Sequence, residues 1–196
     1  MTDERLRCWI HALVATPGLT AIRDPREAWR VHVEQSLIAL PLVSERDGPI
    51  VDVGSGGGAP GLPLAAALPD REVTLLEANG RKAAFLEEMA ADFPNVRVVR
   101  LRAEEHQLEA YGVATARALA APPVAAELCL PLVRTGGAAV LFVGSSADPA
   151  AVGVVSKKLG GGPAEVHTGL LVLPKIAPTP AGFPRRAGMA RKRPLA

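Results

Sequence analysis

Asp52, Gly54, Ser55, Gly56, Gly57 and Gly58 stand within one short stretch, Ile-Val-Asp-Val-Gly-Ser-Gly-Gly-Gly-Ala-Pro-Gly, from Ile50 to Gly61. An apolar run leads into it, and Leu62 to Leu68 behind it reads as a helix. A strand that turns through glycines into a helix lets the backbone approach a ligand closely and aims free helix N–H groups at it. Gly54, Gly56 and Ala59 fit the dinucleotide spacing G-x-G-x-x-G/A. The same turn serves S-adenosylmethionine (SAM), and there an acidic residue two positions before the first glycine is usual. Asp52 is that residue. A carboxylate beside the turn would repel a pyrophosphate but suit the ammonium and sulfonium of SAM, so Asp52 favours SAM over NAD.

Other polar residues fall where strands end. Glu77-Ala78 closes the run Val73 to Leu76, 23 residues after Gly54. A carboxylate there is placed to accept hydrogen bonds from both ribose hydroxyls. Arg102-Ala103-Glu104 ends the next strand, where an adenine would lie, and Thr115-Ala116-Arg117-Ala118 ends the one after. An arginine among small apolar residues is costly to bury without a partner. Arg117 therefore either contacts an anionic or polar substrate or pairs internally, for instance with Asp52 or Glu77.

These ends need a sheet to hold them, and the chain supplies one. From Ile50 onward short apolar runs alternate with helical patterns. The expected strands are Val73–Leu76, 96–101, 113–119 and 138–143, with one or two more within 166–176. Helices are expected from Asn79-Gly80 with an apolar face at Leu86, Met89, Ala90 and Phe93, over 122–133 with Gly136-Gly137 as its stop, and from Asp148-Pro149 to about Leu159. A short turn or helix fills 104–109. Such alternation predicts an α/β fold, a doubly wound, mostly parallel sheet with helices on both faces. Ahead of it, Leu6, Trp9, Ile10, Leu13 and Val14 mark one helix and Asp24-Pro25 opens another, with Trp29, Val33, Leu37 and Leu40 as its stripe and Pro41 near its end. Trp9 and Trp29 read as core residues rather than base-stacking platforms. The expected organisation is one domain: a helical cap over 1–48, a Rossmann-like core over 49–176 and a basic Pro/Arg-rich tail over 177–196.

Composition excludes several classes. With 196 residues, 48% of them hydrophobic, the chain can bury a substantial core. Cys8 and Cys129 stand far apart in no metal or redox spacing, and the four histidines are scattered, so no metal site is expected. No run approaches a membrane span, and the start lacks a basic signal-peptide region, so a cytoplasmic protein is expected. Ser55, Ser145 and Ser146 occupy no G-x-S-x-G elbow, and no G-K-[ST] loop is present. Six basic residues and no acidic one follow Glu165, which leaves a net −4 upstream in a chain of net +2. A basic tail on an acidic body suggests a polyanionic partner or a solubilising end.

Several stretches together carry a resemblance. Leu19 to Pro25, His32 to Leu37, Val51 to Leu64, Arg81-Lys82, Arg102-Ala103-Glu104, Ala116-Arg117-Ala118 and the tail pieces Lys175 to Pro180, Pro184-Arg185-Arg186 and Lys192 to Leu195 resemble the bacterial 16S ribosomal RNA guanine-N7 methyltransferases, the glucose-inhibited division protein B family. The resemblance implies a class I SAM-dependent methyltransferase fold and methylation of a guanine in a 16S rRNA loop near the decoding site, on free RNA or on the small ribosomal subunit. The candidate cofactor set is Asp52, Gly54, Ser55, Gly56, Gly58, Leu62, Glu77, Ala78, Ala103, Glu104 and Arg117. The resemblance makes Arg81, Lys82, Arg102, Arg117 and the tail residues Arg185, Arg186, Arg191, Lys192 and Arg193 the RNA or substrate contacts. Arg117 is the substrate-positioning candidate, and no general base is expected. Where the family usually has asparagine, aspartate and lysine, this chain has Gly18, Gln35 and Val143, all expected on the substrate side.

Overall fold

In the computed structural model, which describes residues 3–196, nine α-helical segments alternate with seven strands among the described residues. Asp3 caps α1 (Glu4–Ala15), accepting from the Arg5 N–H, and the helix buries Leu6, Trp9, Ile10 and Leu13. Asp24 likewise caps α2 (Pro25–Trp29), which carries proline in its first turn. The expected single helix up to Pro41 is not continuous. After α2 the chain widens into π register over Arg30–Glu34, returns as α3 (Gln35–Leu37), and starts again as α4 (Leu40–Ser44). Pro41 opens α4 rather than ending its predecessor, because the first turn has no use for the missing N–H.

The remaining elements are β1 (Ile50–Val53), α5 (Gly61–Ala67), β2 (Val73–Leu76), α6 (Gly80–Ala90), β3 (Val96–Val99), β4 (Tyr111–Arg117), α7 (Pro122–Cys129), β5 (Val133–Phe142), α8 (Pro149–Lys158), β6 (Glu165–His167), β7 (Leu170–Pro174) and α9 (Met189–Lys192). The strand order is β3-β2-β1-β4-β5-β7-β6. β1 pairs in parallel with both β2 and β4, so its carboxyl end is the point where the winding reverses. β7, between β5 and β6, runs antiparallel to both.

Residues along β1 alternate between two apolar layers. Ile50 joins Trp9, Leu13, Val33, Leu64 and Leu86 on one face. Val51 and Val53 join Tyr111, Cys129, Val152, Val155 and Leu159 on the other. The first layer is roofed by the N-terminal helices with α5 and α6, the second by α7 and α8. No helix among the described residues is long and apolar enough to cross a membrane.

The expected helix over 122–133 stops earlier. α7 ends at Cys129, a single 3₁₀ turn follows, and β5 begins at Val133, opposite Tyr111. Gly136 and Gly137 lie inside the strand, at a register shift against β4. They act as a bulge rather than a helix stop: Gly136 has φ +89°, and a Cβ on Gly137 would collide with the Gly112 carbonyl.

The tail folds back on the body. Lys175 is 1% exposed, and its ammonium donates to the carbonyls of Leu130 (3.2 Å) and Leu159 (2.7 Å) and to Thr179 Oγ1 (2.7 Å). Burial pulls its pKa down, and Glu109 at 3.9 Å opposes that. Thr179 N–H donates to Glu109 Oε1 at 2.6 Å, and Lys158 Nζ donates to the Leu195 carbonyl at 2.9 Å.

Candidate functional site

The glycine turn is held from below and from both sides. The Gly54 and Ser55 N–H groups donate to the Leu76 carbonyl at 2.7 and 3.2 Å, so the turn is registered on the end of β2. Gly56, at φ +56°, has no atom beyond the Gly54 carbonyl within 4 Å of where a Cβ would sit. Its backbone faces open space, the property a ligand cradle requires. From the cap, Trp9 Nε1 donates to the Gly57 carbonyl at 2.7 Å.

Asp52 takes a different place from the one its position suggested. It is 1% exposed and lines neither cleft of the turn. Its Oδ2 accepts from the Gly61 N–H (3.2 Å) and its Oδ1 from the Thr115 hydroxyl (3.1 Å). The carboxylate thus ties β1 to α5 and β4, and burial pushes its pKa up to about 6, against the lowering effect of these hydrogen bonds. It can favour a ligand through the loop it braces, not by contact. Leu62, wholly buried, and Gly58, stacked over Leu62 and Trp9, are also scaffold.

Glu77 does face the site. Its Oε2 accepts from the Gly56 N–H at 2.9 Å and its Oε1 from the Asn79 N–H at 2.7 Å. One carboxylate thereby joins the turn to the start of α6, and each oxygen keeps a lone pair for a hydroxyl. Two clefts flank the turn. The first, about 220 Å³, runs past Glu77, Ala78, Arg102, Ala103 and Glu104. The second, about 210 Å³, is bordered by Ser55, Gly56, Ala59, Leu13, His32 and Arg117. Gly54, Lys82 and Ala118 border both.

Arg117 projects from the end of β4 and pairs with neither Asp52 nor Glu77. Its Nη1 donates to the Val31 carbonyl (2.8 Å) and Ser36 Oγ (3.3 Å), and its Nη2 to Gln35 Oε1 (3.2 Å). The π-register segment and α3 thus hold this guanidinium between them. Burial lowers its pKa, and burial together with the same guanidinium lowers that of His32. A third hollow, about 540 Å³, opens on its other side among Gln35, Ile38, Phe142, Val143 and Thr168. Gln35 and Val143, two of the three departures from the family pattern, thus share one hollow with Arg117. Ala118, which borders all three spaces, sits at φ +53° without being glycine, a strain that functional loops tend to hold.

A family-wide sequence pattern described as rRNA small subunit methyltransferase G matches residues 6–152. The chain belongs to that family. It is 39% identical to the ribosomal RNA small subunit methyltransferase G of Roseiflexus castenholzii over 98% of this chain and 88% of that one. The same-named proteins of Synechococcus elongatus and Moorella thermoacetica are 38% and 36% identical over 98% and 91% of this chain and 90% and 82% of theirs. In fold the chain is similar to the antibiotic-resistance methyltransferase Kmr (TM-score 0.54, 18% identity, 76% of this chain and 93% of that one). It is also similar to the SAM-dependent methyltransferase SibL (TM-score 0.61, 15% identity, 86% and 62%). The fold is class I, the cofactor is SAM and the substrate is RNA. The nicotinamide reading that the glycine spacing left open is not favoured.

Leu119 borders the first cleft and was not singled out from the sequence, while Ala59, His32 and Leu19, which border the second, were named there but given no role in binding. Apart from His32 their types carry no chemical signal; the fold alone brings them there. Arg81 and Arg185, expected to face RNA, are otherwise engaged. Arg81 Nη2 donates to the Pro17 carbonyl at 2.7 Å, and Arg185 makes a bidentate pair with Glu127. Arg186, Lys192 and Arg193 are exposed and make no ion pair among the described residues. No group of three histidine, cysteine or carboxylate side chains converges among the described residues.

Proposed function

We propose that the chain transfers the methyl group of SAM to N7 of a guanine in 16S ribosomal RNA, presented on free RNA or on the small ribosomal subunit in the cytoplasm. The observation that carries this reading is the placement of Arg117. Its guanidinium stands where the second cleft meets the third hollow, fixed by three acceptors from the cap.

The residues fit SAM. In this reading the adenosine occupies the first cleft, with Glu77 on the ribose and Ala103-Glu104 beside the adenine. The methionine end follows the open backbone of Gly54 to Gly56 into the second cleft. When bound there, SAM supplies an electrophilic methyl carbon on its sulfonium. Guanine N7 has an in-plane lone pair and no proton, so no general base has to act before attack. The work left to the chain is alignment. The third hollow receives the base, and Arg117 orients it through the guanine O6 or a neighbouring phosphate. Phe142, with its ring centre 5.9 Å from the guanidinium carbon, limits where that guanidinium can move. The base must be unpaired or splayed, because paired RNA hides N7 in a deep, narrow groove. Lys82, Arg102 and the outward cations Arg186, Lys192 and Arg193 supply phosphate contacts.

The deciding experiment is transfer of labelled methyl from SAM to unmethylated 16S rRNA and to unmethylated 30S particles, with the modified base mapped. N7-methylguanine in the decoding-region loop is the expected product. SAM binding without transfer to either substrate would overturn the target.

A further inference from the structure

The sequence assigns the tail to RNA as one block, but its contacts divide it. Arg185 turns inward. Its Nε and Nη2 donate to the two oxygens of Glu127, both at 2.6 Å, and Nη2 also reaches the Arg193 carbonyl at 2.9 Å. Glu127 is a carboxylate on α7 with 4% exposure, and a buried carboxylate needs such a bidentate partner. Ala190, 2% exposed, packs with Val124 and Leu128 of α7; Ala103 and Leu119 pack against the same cluster. Both of those residues line the first cleft.

Two further contacts reach the cleft itself. The Gly188 N–H donates to Glu104 Oε1 at 2.8 Å. Arg191 Nη2 donates to the Leu119 carbonyl at 2.7 Å. Leu119 in turn lies directly over Gly54, where a Cβ would strike its side chain. Gly188 and Arg191 themselves border the cleft.

We propose that residues 184–195 form a strap that is part of the cofactor site: it closes the adenosine end, orients Glu104 and holds Leu119 against the glycine turn. This rests on the SAM reading of the first cleft. One Glu104 oxygen is held by the strap, which aims the other at the cleft, where an adenine amino group can donate to it. Arg191 contacts the wall of the site. Arg185 is a positioning residue that acts through Glu127. Arg186, Lys192 and Arg193 remain on the outer side, so a short tail serves cofactor and RNA from opposite faces.

The test uses the full chain and measures S-adenosylhomocysteine and SAM binding by calorimetry, with thermal unfolding of each variant. Arg191→Ala and Arg185→Ala are expected to weaken S-adenosylhomocysteine tenfold or more. Arg185→Lys should recover part of the loss, and Arg26→Ala, an exposed charge deletion on α2, should stay within twofold of wild type. At saturating S-adenosylhomocysteine, Arg191→Ala should bind 16S rRNA within twofold of wild type, an outcome that a purely RNA-contacting arginine would not give. Should Arg185→Ala fail to fold, Arg191→Ala decides, because its exposed side chain leaves no buried charge behind. The strap role is wrong if wild type binds the cofactor and Arg191→Ala binds it equally well. Wild type that binds neither SAM nor S-adenosylhomocysteine would instead refute the cofactor reading beneath it.

Discussion

Replacing Glu77 with glutamine separates the two jobs assigned to one carboxylate. In the structure that group accepts from the Gly56 N–H at 2.9 Å and the Asn79 N–H at 2.7 Å, with 8% exposure. Glutamine has one acceptor oxygen and presents N–H groups with the other arm, so one of the two backbone donors loses its partner. A hydrogen bond to a charged acceptor contributes about 1.5–3 kcal/mol, so Glu77→Gln should destabilise the chain by about 2 kcal/mol. For a chain of this size that corresponds to roughly 4–8 °C in melting temperature. Glu77→Ala removes both acceptors and should cost about twice as much. The ribose contribution is separate: loss of charge-assisted hydrogen bonds to the diol should weaken SAM by about 10- to 100-fold beyond any effect of unfolding. Thermal unfolding without cofactor reads the first quantity, and calorimetric titration well below the melting temperature reads the second. A Glu77→Gln chain that melts with wild type would show that the carboxylate does not hold the turn. One that melts lower yet binds SAM within twofold would leave the brace and remove the ribose contact.

Asp52 should make stability fall with rising pH. Its folded pKa of about 6 lies above an ordinary value near 4, so the stability it contributes is complete below about pH 4, is lost as pH rises to about 6 and stays lost above, on the order of 3 kcal/mol in all. Urea unfolding of wild type against Asp52→Asn between pH 4 and pH 7 should show that difference; parallel curves would refute it. Arg117→Ala should lower kcat about 100-fold at saturating SAM by releasing the base. A variant with weaker SAM binding but normal turnover at saturation would assign Arg117 to the cofactor alone. Replacing Arg186, Lys192 and Arg193 together by alanine should reduce the slope of log affinity for 16S rRNA against log salt by about 2, at 0.7 per lost contact with single strands. An unchanged slope places the RNA elsewhere. Lys175→Met should destabilise by about 2–5 kcal/mol, because two buried carbonyls lose their donor; urea unfolding within 0.5 kcal/mol of wild type would contradict a stabilising role for that ammonium's hydrogen bonds.

The parts of the site legible in the sequence are those set by local rules. Asp24-Pro25 opened a helix, Gly54 and Gly56 supplied positive φ, and the apolar runs at Val51 and Val73 became parallel neighbours. Misplaced boundaries fell where tertiary pairing overrode local pattern. Gly136-Gly137 looks like a helix stop by residue type, yet the partner strand at Tyr111 to Val113 draws it into β5 as a bulge. The π-register turn left no mark in the hydrophobic spacing of Trp29, Val33 and Leu37.

Residue types and spacing by themselves determined the α/β class, the glycine turn and the acidic residue at the end of β2, because each depends on neighbours within a turn or a strand. Which charges face the clefts was decided only by the tertiary structure. Asp52 and Glu77 are both carboxylates at strand ends, but α5 and β4 close over one and leave the other at the cleft. Arg185 and Arg186 are adjacent in the chain, yet one finds a buried carboxylate 58 positions upstream and the other finds solvent. A charge's role follows from what desolvates it and what pairs with it, and for these residues both come from distant segments brought together by the sheet.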